Sequence, residues 1–137
     1  MNYIEQAEQA NVGPYIWGGN RKVMLTAPGL HTKGNFPDIE LVARSLSFIN
    51  RYTGHTLRPI SVAEHSLLVV AIANHLFGDL PDLERAEVLL ACLMHDAHEA
   101  FTGDISTPLK RILGNTVKQF EAEVERALWV DYGIEAL

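Results

Sequence analysis

The residues best suited to chemistry lie in the second half of the chain, in the run His95-Asp-Ala-His-Glu99. This run directly follows the apolar stretch Val88-Leu-Leu-Ala-Cys-Leu-Met94, so His95 and Asp96 are expected on a helix that belongs to the core. A carboxylate in such a place needs a partner, and a metal cation is the obvious one. At about 100° per residue, His95 and Glu99 would lie about 40° apart on one helix face, with Asp96 about 100° away.

A second histidine favours a metal site over a simpler interpretation. Taken alone, His95 and Asp96 could mark a helix end, with the imidazole capping carbonyl groups and with Asp96 and Glu99 in solvent. His65 changes the balance, because it lies in the first turn of another apolar segment, which opens with Ser61-Val-Ala-Glu-His-Ser66. Two helices packed side by side would supply two nitrogen ligands and one oxygen ligand, a set suited to a transition metal.

The motifs around these residues resemble those of the HD-domain phosphohydrolases. The similar stretches are Ser61–Ser66, His95-Asp96, Glu99, Thr102-Gly-Asp104 and Thr107-Pro-Leu-Lys110. The resemblance is closest to the bacterial 5′-deoxynucleotidase-like branch and its phage-encoded relatives, and it extends from about Asp38 to about Leu113. It implies an all-α helical bundle with one divalent metal ion, either Mg or a transition metal such as Mn, Co, Fe, Ni or Zn.

The resemblance implies that His65, His95 and Asp96 bind the metal and that Glu99 acts in catalysis. A divalent ion held by neutral histidines and a carboxylate acidifies a bound water and polarises a phosphoryl oxygen. Glu99, one turn after His95, could orient or deprotonate that water, or protonate the leaving oxygen. The expected reaction is the hydrolysis of a phosphate ester.

Four further residues are predicted to bind the substrate: Arg51, Tyr52, Asp104 and Lys110. The family has an arginine followed by an aromatic residue at the place of Arg51 and Tyr52, where the pair contacts the phosphate and the base or sugar. Asp104 could hydrogen-bond a sugar hydroxyl or order a water, and Lys110 could offset the phosphate charge. Without the resemblance, Arg51 would be interpreted as a complement to the C-terminal dipole of its helix.

The predicted substrate is a nucleotide, in the first place a (deoxy)nucleoside 5′-monophosphate. One alternative is a deoxynucleoside triphosphate hydrolase, and another is an HD-fold protein that binds nucleotides or a protein partner without turnover. The second alternative follows from a departure from the family pattern, since HD proteins complete the metal site with an aspartate on a later helix. Asp131 is the only late candidate here. A shortened chain, a partner or water in that position, or weak metal binding would account for the difference.

Length and composition indicate a single domain that does not bind polyanions. The chain has 137 residues, 11 of them basic and 17 acidic, and its net charge of −6 argues against a polymeric nucleic acid as partner. The single cysteine, Cys92, is predicted to be a reduced core residue of a cytoplasmic protein. No membrane span or signal peptide is expected, and a homo-oligomer is left open.

The pattern of turn formers and apolar residues divides the chain at about residue 38. Residues 1–37 are predicted to be irregular, with a short hairpin between Tyr15–Trp17 and Arg21–Thr26. Residues 38–137 are predicted to be helical, with helices over 39–50, 62–77, 82–102 and 116–132. Lys118, Glu121 and Glu125 should face outward on the last helix, and His98 should lie behind the metal ligands or face solvent.

Overall fold

The computed structural model describes residues 14–134, which form a short hairpin followed by helices. Strand β1 (Tyr15–Gly18) pairs antiparallel with β2 (Arg21–Met24). The α-helices of the described chain are α1 (Ile39–Phe48), α2 (Val62–Leu76), α3 (Asp82–Met94), α4 (Glu99–Thr102), α5 (Thr107–Leu113) and α6 (Asn115–Asp131). A short 3-10 turn covers Gly29–His31, and a tight turn with left-handed residues covers Arg51–Gly54. The predicted all-α class and the predicted hairpin are both confirmed.

One core joins the segment before α1 to the helices. Val23, Leu30 and Phe36 of that segment are buried in the same cluster as residues from the rest of the chain. The other buried members of the cluster are Val42, Leu46, Val62, Met94, Ala97, Phe101, Val124, Ala127 and Leu128. The Phe36 ring contacts that of Phe101 in α4, with centroids 5.2 Å apart. The hairpin segment therefore packs against the part of the chain that carries the predicted chemistry.

The end of α6 ties down the segment before α1. Asp131 accepts hydrogen bonds from the backbone N–H groups of Gly34 at 2.5 Å and Phe36 at 3.0 Å. The Tyr132 hydroxyl donates to the carbonyl oxygen of Pro37. Both carboxylate oxygens of Asp131 accept hydrogen bonds from backbone amides, so the only late candidate for a further metal ligand is engaged in the fold instead.

Local sequence fixes the start of α2, which carries the first predicted ligand. The Ser61 hydroxyl oxygen accepts a hydrogen bond from the Glu64 N–H at 3.0 Å, as expected for an N-cap. The Glu64 carboxylate pairs with Arg58, at 2.6 Å between Oε1 and Nη2, rather than with the Ser61 N–H as in a capping box. His65 follows directly, in the first turn of the helix.

The helix that was predicted to continue to Thr102 ends at Met94 instead. After Met94 the backbone makes a tighter turn, in which Ala97 N donates to Met94 O and Glu99 N donates to Asp96 O. These three-residue spacings are typical of a 3-10 turn, so the angle of 100° per residue does not apply between His95 and Glu99. The predicted arrangement of these side chains on one helix face is therefore wrong, although the residues still lie close together.

Two features of the last third of the chain differ from the prediction. Helix α5 was not predicted, although Pro108 stands in its first turn, where proline is favoured. On α6, Lys118 is exposed as expected, whereas Glu121 is only 7% exposed. Glu121 precedes the buried Val124 and Leu128 by three and seven residues, the spacing of one helix face. The outward prediction for Glu121 is therefore wrong.

None of the described helices combines the length and the apolar character needed to cross a membrane.

Candidate functional site

Three side chains that could hold a metal ion meet between α2 and the turn after α3. One ligand atom from each of His65, His95 and Asp96 lies within 4.8 Å of the other two, and no other such group occurs in residues 14–134. Asp96 Oδ2 is 2.9 Å from His95 Nε2 and 3.5 Å from His65 Nε2. Metal ions bind imidazole nitrogen and carboxylate oxygen at about 2.0–2.2 Å. A single ion could therefore reach all three atoms.

The turn after Met94 orients His95 for this role. His95 Nδ1 is 2.6 Å from the carbonyl oxygen of Cys92 in the last turn of α3. A backbone carbonyl at one ring nitrogen fixes the tautomer and leaves the other nitrogen for a metal. The hydrogen bond with Asp96 raises the pKa of His95, against the effect of burial. Metal binding would displace the proton that this contact retains.

Burial and neighbouring charges favour the metal-binding protonation states of two candidate ligands, His65 and Asp96. Burial, and next the positive charge of Arg51, lower the pKa of His65, so its neutral form is favoured. Burial alone would raise the pKa of Asp96, but the hydrogen bond and charge of His95 lower it overall. A neutral imidazole and an ionised carboxylate are the forms that bind a cation.

Glu99 begins α4 beside these ligands and is only 4% exposed. Burial, followed by the negative charges of Asp96 and Asp104, raises its pKa to about 8. Its Oε2 atom has no hydrogen-bond partner within the described chain. A cation at the neighbouring ligands would favour the carboxylate again. Glu99 is therefore suited to take up and release a proton near neutral pH.

Seven of the eight residues predicted to form the site line a cavity of about 290 Å³. These seven are Arg51, Tyr52, His65, Asp96, Glu99, Asp104 and Lys110. The eighth, His95, contacts the cavity residue Asp96 directly. The remaining wall is the segment from Ile105 to Pro108, which leads into α5. The cavity thus brings together carboxylates, an imidazole and two cations from separate elements.

A tight turn positions Arg51 and Tyr52 at one side of the cavity. The Arg51 N–H donates to Ile60 O at 2.7 Å, which fixes the backbone next to the start of α2. Tyr52 and Thr53 then adopt left-handed conformations with φ of 56° and 54°. Arg51 Nη1 lies 3.8 Å from Asp96 Oδ2, and the guanidinium carbon lies 5.1 Å from the centroid of the Tyr52 ring.

On another wall of the cavity, Lys110 pairs with a residue that sequence reasoning missed. Its Nζ atom is 2.9 Å from Oε2 of Glu121 on α6. The signal for this contact was present in the sequence, because Glu121 stands at helical spacing from the apolar Val124 and Leu128. His98 is also buried, at 6% exposure, and its Nδ1 has no partner in residues 14–134. The solvent-facing alternative for His98 is therefore wrong.

A larger cavity, of about 580 Å³, contains none of the eight predicted residues. It is lined mainly by apolar side chains such as Phe36, Leu93 and Tyr132. The carboxylate of Asp131 in its wall is already engaged by backbone amides. Convergent titratable groups indicate a reactive site better than volume does, so the smaller cavity is the candidate.

Comparison with known proteins relates the chain to nucleotidases. A family model described as "5′-deoxynucleotidase YfbR-like" matches residues 40–131. An uncharacterized protein of Rhodobacter capsulatus is 33% identical over 102 residues, which are 73% of this chain and 50% of that protein. The 5′-deoxynucleotidase YfbR of Escherichia coli O127:H6 is 36% identical over 85 residues, 56% of this chain and 42% of the relative. A dATP triphosphohydrolase of Salmonella phage PMBT28 is 42% identical over 67 residues, 42% of this chain and 34% of the relative.

The family match covers all the residues of the candidate site. It begins in α1 and ends with α6, so it includes Arg51, the ligands on α2 and after α3, and Lys110. The chain spans about half the length of the first curated relatives that it matches. The resemblance drawn from the motifs is confirmed: the chain belongs to the YfbR-like family of HD-domain proteins.

Proposed function

We propose that the chain is a metal-dependent phosphohydrolase that acts on nucleotides, with (deoxy)nucleoside 5′-monophosphates as its substrates. The observation that carries the proposal is the single cavity lined both by candidate metal ligands and by two cations suited to a phosphate. Its volume of about 290 Å³ is close to the lower end for small-molecule sites. The name of the Escherichia coli relative supports the monophosphate.

His65, His95 and Asp96 would hold one divalent ion, either Mg or a transition metal. Two nitrogens and one oxygen within 4.8 Å of one another fit such an ion. When bound, the ion would supply an acidified water and a polarised phosphoryl oxygen. The three residues leave further positions on the ion for water and substrate, as catalytic metal sites require.

Glu99 would manage the proton in the reaction. Its raised pKa, about 8, means that the buried side chain holds a proton at neutral pH when no cation is near. In the loaded site it would take a proton from the attacking water or give one to the leaving oxygen, because its carboxyl lines the cavity beside Asp96.

The remaining cavity residues would bind the nucleotide. The planar guanidinium of Arg51 would bind phosphate oxygens with two N–H donors, and the ammonium of Lys110 would add positive charge. The ring of Tyr52, which is 56% exposed, would pack on the base or sugar. Asp104 would accept a hydrogen bond from a sugar hydroxyl.

A triphosphate substrate is the second candidate function. It is favoured by the name of the phage relative, a dATP triphosphohydrolase, which is 42% identical over the matched residues. The two candidates differ in their products. A monophosphatase releases inorganic phosphate and a nucleoside, whereas a triphosphate hydrolase acts on dATP and leaves monophosphates unchanged.

The test is product release from a nucleotide panel by the purified chain, with Mn²⁺, Co²⁺, Mg²⁺ or no metal. Deoxynucleoside and ribonucleoside monophosphates and triphosphates would be included, with products separated by chromatography. We expect metal-dependent release of phosphate from the monophosphates. Nucleotide binding without turnover under every metal would contradict the proposal and favour a non-catalytic binding protein.

The matched variants are His95→Ala and His75→Ala. His95→Ala should lose bound metal and turnover while the chain stays folded, since the residue contributes a ligand rather than core packing. His75 is exposed near the end of α2 and outside the cavity, so its replacement should change neither. Full metal content in the His95→Ala protein would show that the ligand assignment is wrong.

A further inference from the structure

The Lys110–Glu121 ion pair is unusual in its burial. The Lys110 side chain is 24% exposed and the Glu121 side chain 9% exposed, with 2.9 Å between Nζ and Oε2. The other oxygen of Glu121 has no hydrogen-bond partner within residues 14–134. Taking a carboxylate and an ammonium out of water is expensive, and a well-packed apolar pair would often be at least as stable. A functional role therefore explains the ion pair better than a contribution to stability does.

Lys110 has other carboxylates within its electrostatic reach. Burial alone would lower the pKa of Lys110, but the hydrogen bond with Glu121 and the charges of Glu121, Glu99 and Asp104 raise it overall. Lys110 and Glu99 line the same cavity. Glu99 also has an oxygen without a partner in the described chain, so it could accept the ammonium if Glu121 were absent. Such a pair would occupy the carboxyl group that the proposed reaction needs.

We propose that Glu121 is a positioning residue, which retains Lys110 on the α5–α6 side of the cavity and so prevents it from pairing with Glu99. The inference rests on the proposed function, because it gives a reason to keep Glu99 free. It does not make Glu121 a ligand of substrate or metal, since Glu121 does not line the cavity. Among the ion pairs of the described residues, Glu121 is linked to the site only through Lys110.

The kinetic test compares Glu121→Gln, Lys110→Met and the double variant, with metal and a nucleoside monophosphate. Glu121→Gln should lower kcat by about tenfold or more, because the released lysine occupies the general acid or base. The double variant should recover most of that kcat, because it has no lysine that could pair with Glu99. Its KM should stay several-fold above that of the parent, because the phosphate loses a cation.

A purely structural tie between α5 and α6 predicts the opposite order. In that case the double variant would be no more active than Glu121→Gln, and this result would overturn the inference. Glu121→Asp, which keeps the charge but shortens the side chain, should retain more of kcat than Glu121→Gln. Glu123→Gln is the matched control on the same helix, because the Glu123 side chain is 44% exposed and contacts only His31 among the ion pairs described.

A second measurement needs no activity. Thermal unfolding of the metal-free protein would be recorded for Lys110→Met, Glu99→Gln and their combination. In the parent background the two shifts in Tm should be only weakly coupled, since Lys110 pairs with Glu121. In the Glu121→Gln background the coupling should become clearly larger, because Lys110 now pairs with Glu99. Equal coupling in both backgrounds would refute the exchange of partners even if the parent hydrolyses nucleotides. Coupling without hydrolysis would refute the proposed function alone.

Discussion

The protonation of Glu99 links the candidate chemistry to stability. In the metal-free protein the pKa of Glu99 is raised from its ordinary value of 4.5 to about 8, mainly by burial. The folded protein therefore keeps a proton that the unfolded chain releases. This contribution to stability is fully present below about pH 4.5 and is lost as the pH rises towards 8.

Glu99→Gln should remove this pH dependence, because an amide has no proton to lose in this range. We expect the free energy of unfolding of the variant, relative to the parent, to increase steadily between about pH 5 and pH 8. Urea unfolding in the presence of a chelator measures it, and Glu123→Gln, in a side chain 44% exposed, provides the control. Parallel curves for parent and Glu99→Gln would contradict the raised pKa.

Arg51 offers a test of phosphate recognition at the scale of a single guanidinium. Arg51→Lys keeps the positive charge but cannot reproduce two parallel N–H donors. We expect kcat/KM for a nucleoside monophosphate to fall by about tenfold or more, roughly 1.4 kcal/mol, with Tm close to that of the parent. Arg58→Lys is the matched control, because Arg58 pairs with Glu64 outside the cavity. A loss of Tm without a loss of kcat/KM would make Arg51 a structural residue.

Among the elements, the turn Arg51–Gly54 is the most strained part of the described backbone. Thr53 is β-branched and has φ of 54°, a region that such residues rarely occupy. Asparagine tolerates this conformation better and lacks the entropic cost of glycine. We expect Thr53→Asn to raise the free energy of unfolding by about 0.5–1 kcal/mol. Urea unfolding measures it, and Thr32→Asn, at an ordinary φ of −75°, should give no gain.

The limits of helices with clear boundary signals could be predicted from the sequence. Ser61 before α2 and the turn formers at the hairpin gave correct starts, because capping and turn chemistry act over a few neighbouring residues. The end of α3 could not be predicted in this way. Met94, His95 and Asp96 include no helix breaker, and the switch to a 3-10 turn is decided by packing and by contacts such as that of His95 with Cys92.

Most residues of the candidate site could be predicted from the sequence, but the ion pair between Lys110 and Glu121 could not. The motifs and the resemblance identified seven of the eleven residues that line the cavity as site candidates, and they missed the wall from Ile105 to Pro108. The partner of Lys110, Glu121, lies on another helix. Glu121 was expected to face solvent because it is charged, although its spacing from Val124 and Leu128 places it on the apolar face. A charged residue at an apolar spacing is ambiguous until the opposite element is known, which is why Glu121 was missed.

At the scale of the whole molecule, Asp131 near the end of α6 holds the segment before α1 in place. Asp131→Asn should lose one of the two amide hydrogen bonds, because its NH₂ group would face a backbone N–H. We expect the free energy of unfolding to fall by about 1–3 kcal/mol, with metal content unchanged. Asp82→Asn, in a side chain 97% exposed that pairs with Arg85 at the helix surface, is the control and should cost less than about 1 kcal/mol. If Asp131→Asn lost metal but not stability, Asp131 would have to be a metal ligand.

The same contact has a consequence for synthesis on the ribosome. Gly34 and Asp131 are 97 residues apart in sequence, so the hairpin segment is made long before its anchor. At about 5–20 residues per second, the segment waits roughly 5–20 s for the anchor to be made. During that time Leu30 and Phe36 lack the end of α6, so we expect nascent chains stalled before Asp131 to be cleaved by protease in this segment. Chains released after Asp131 should be protected there, and equal cleavage of both would exclude this order of assembly.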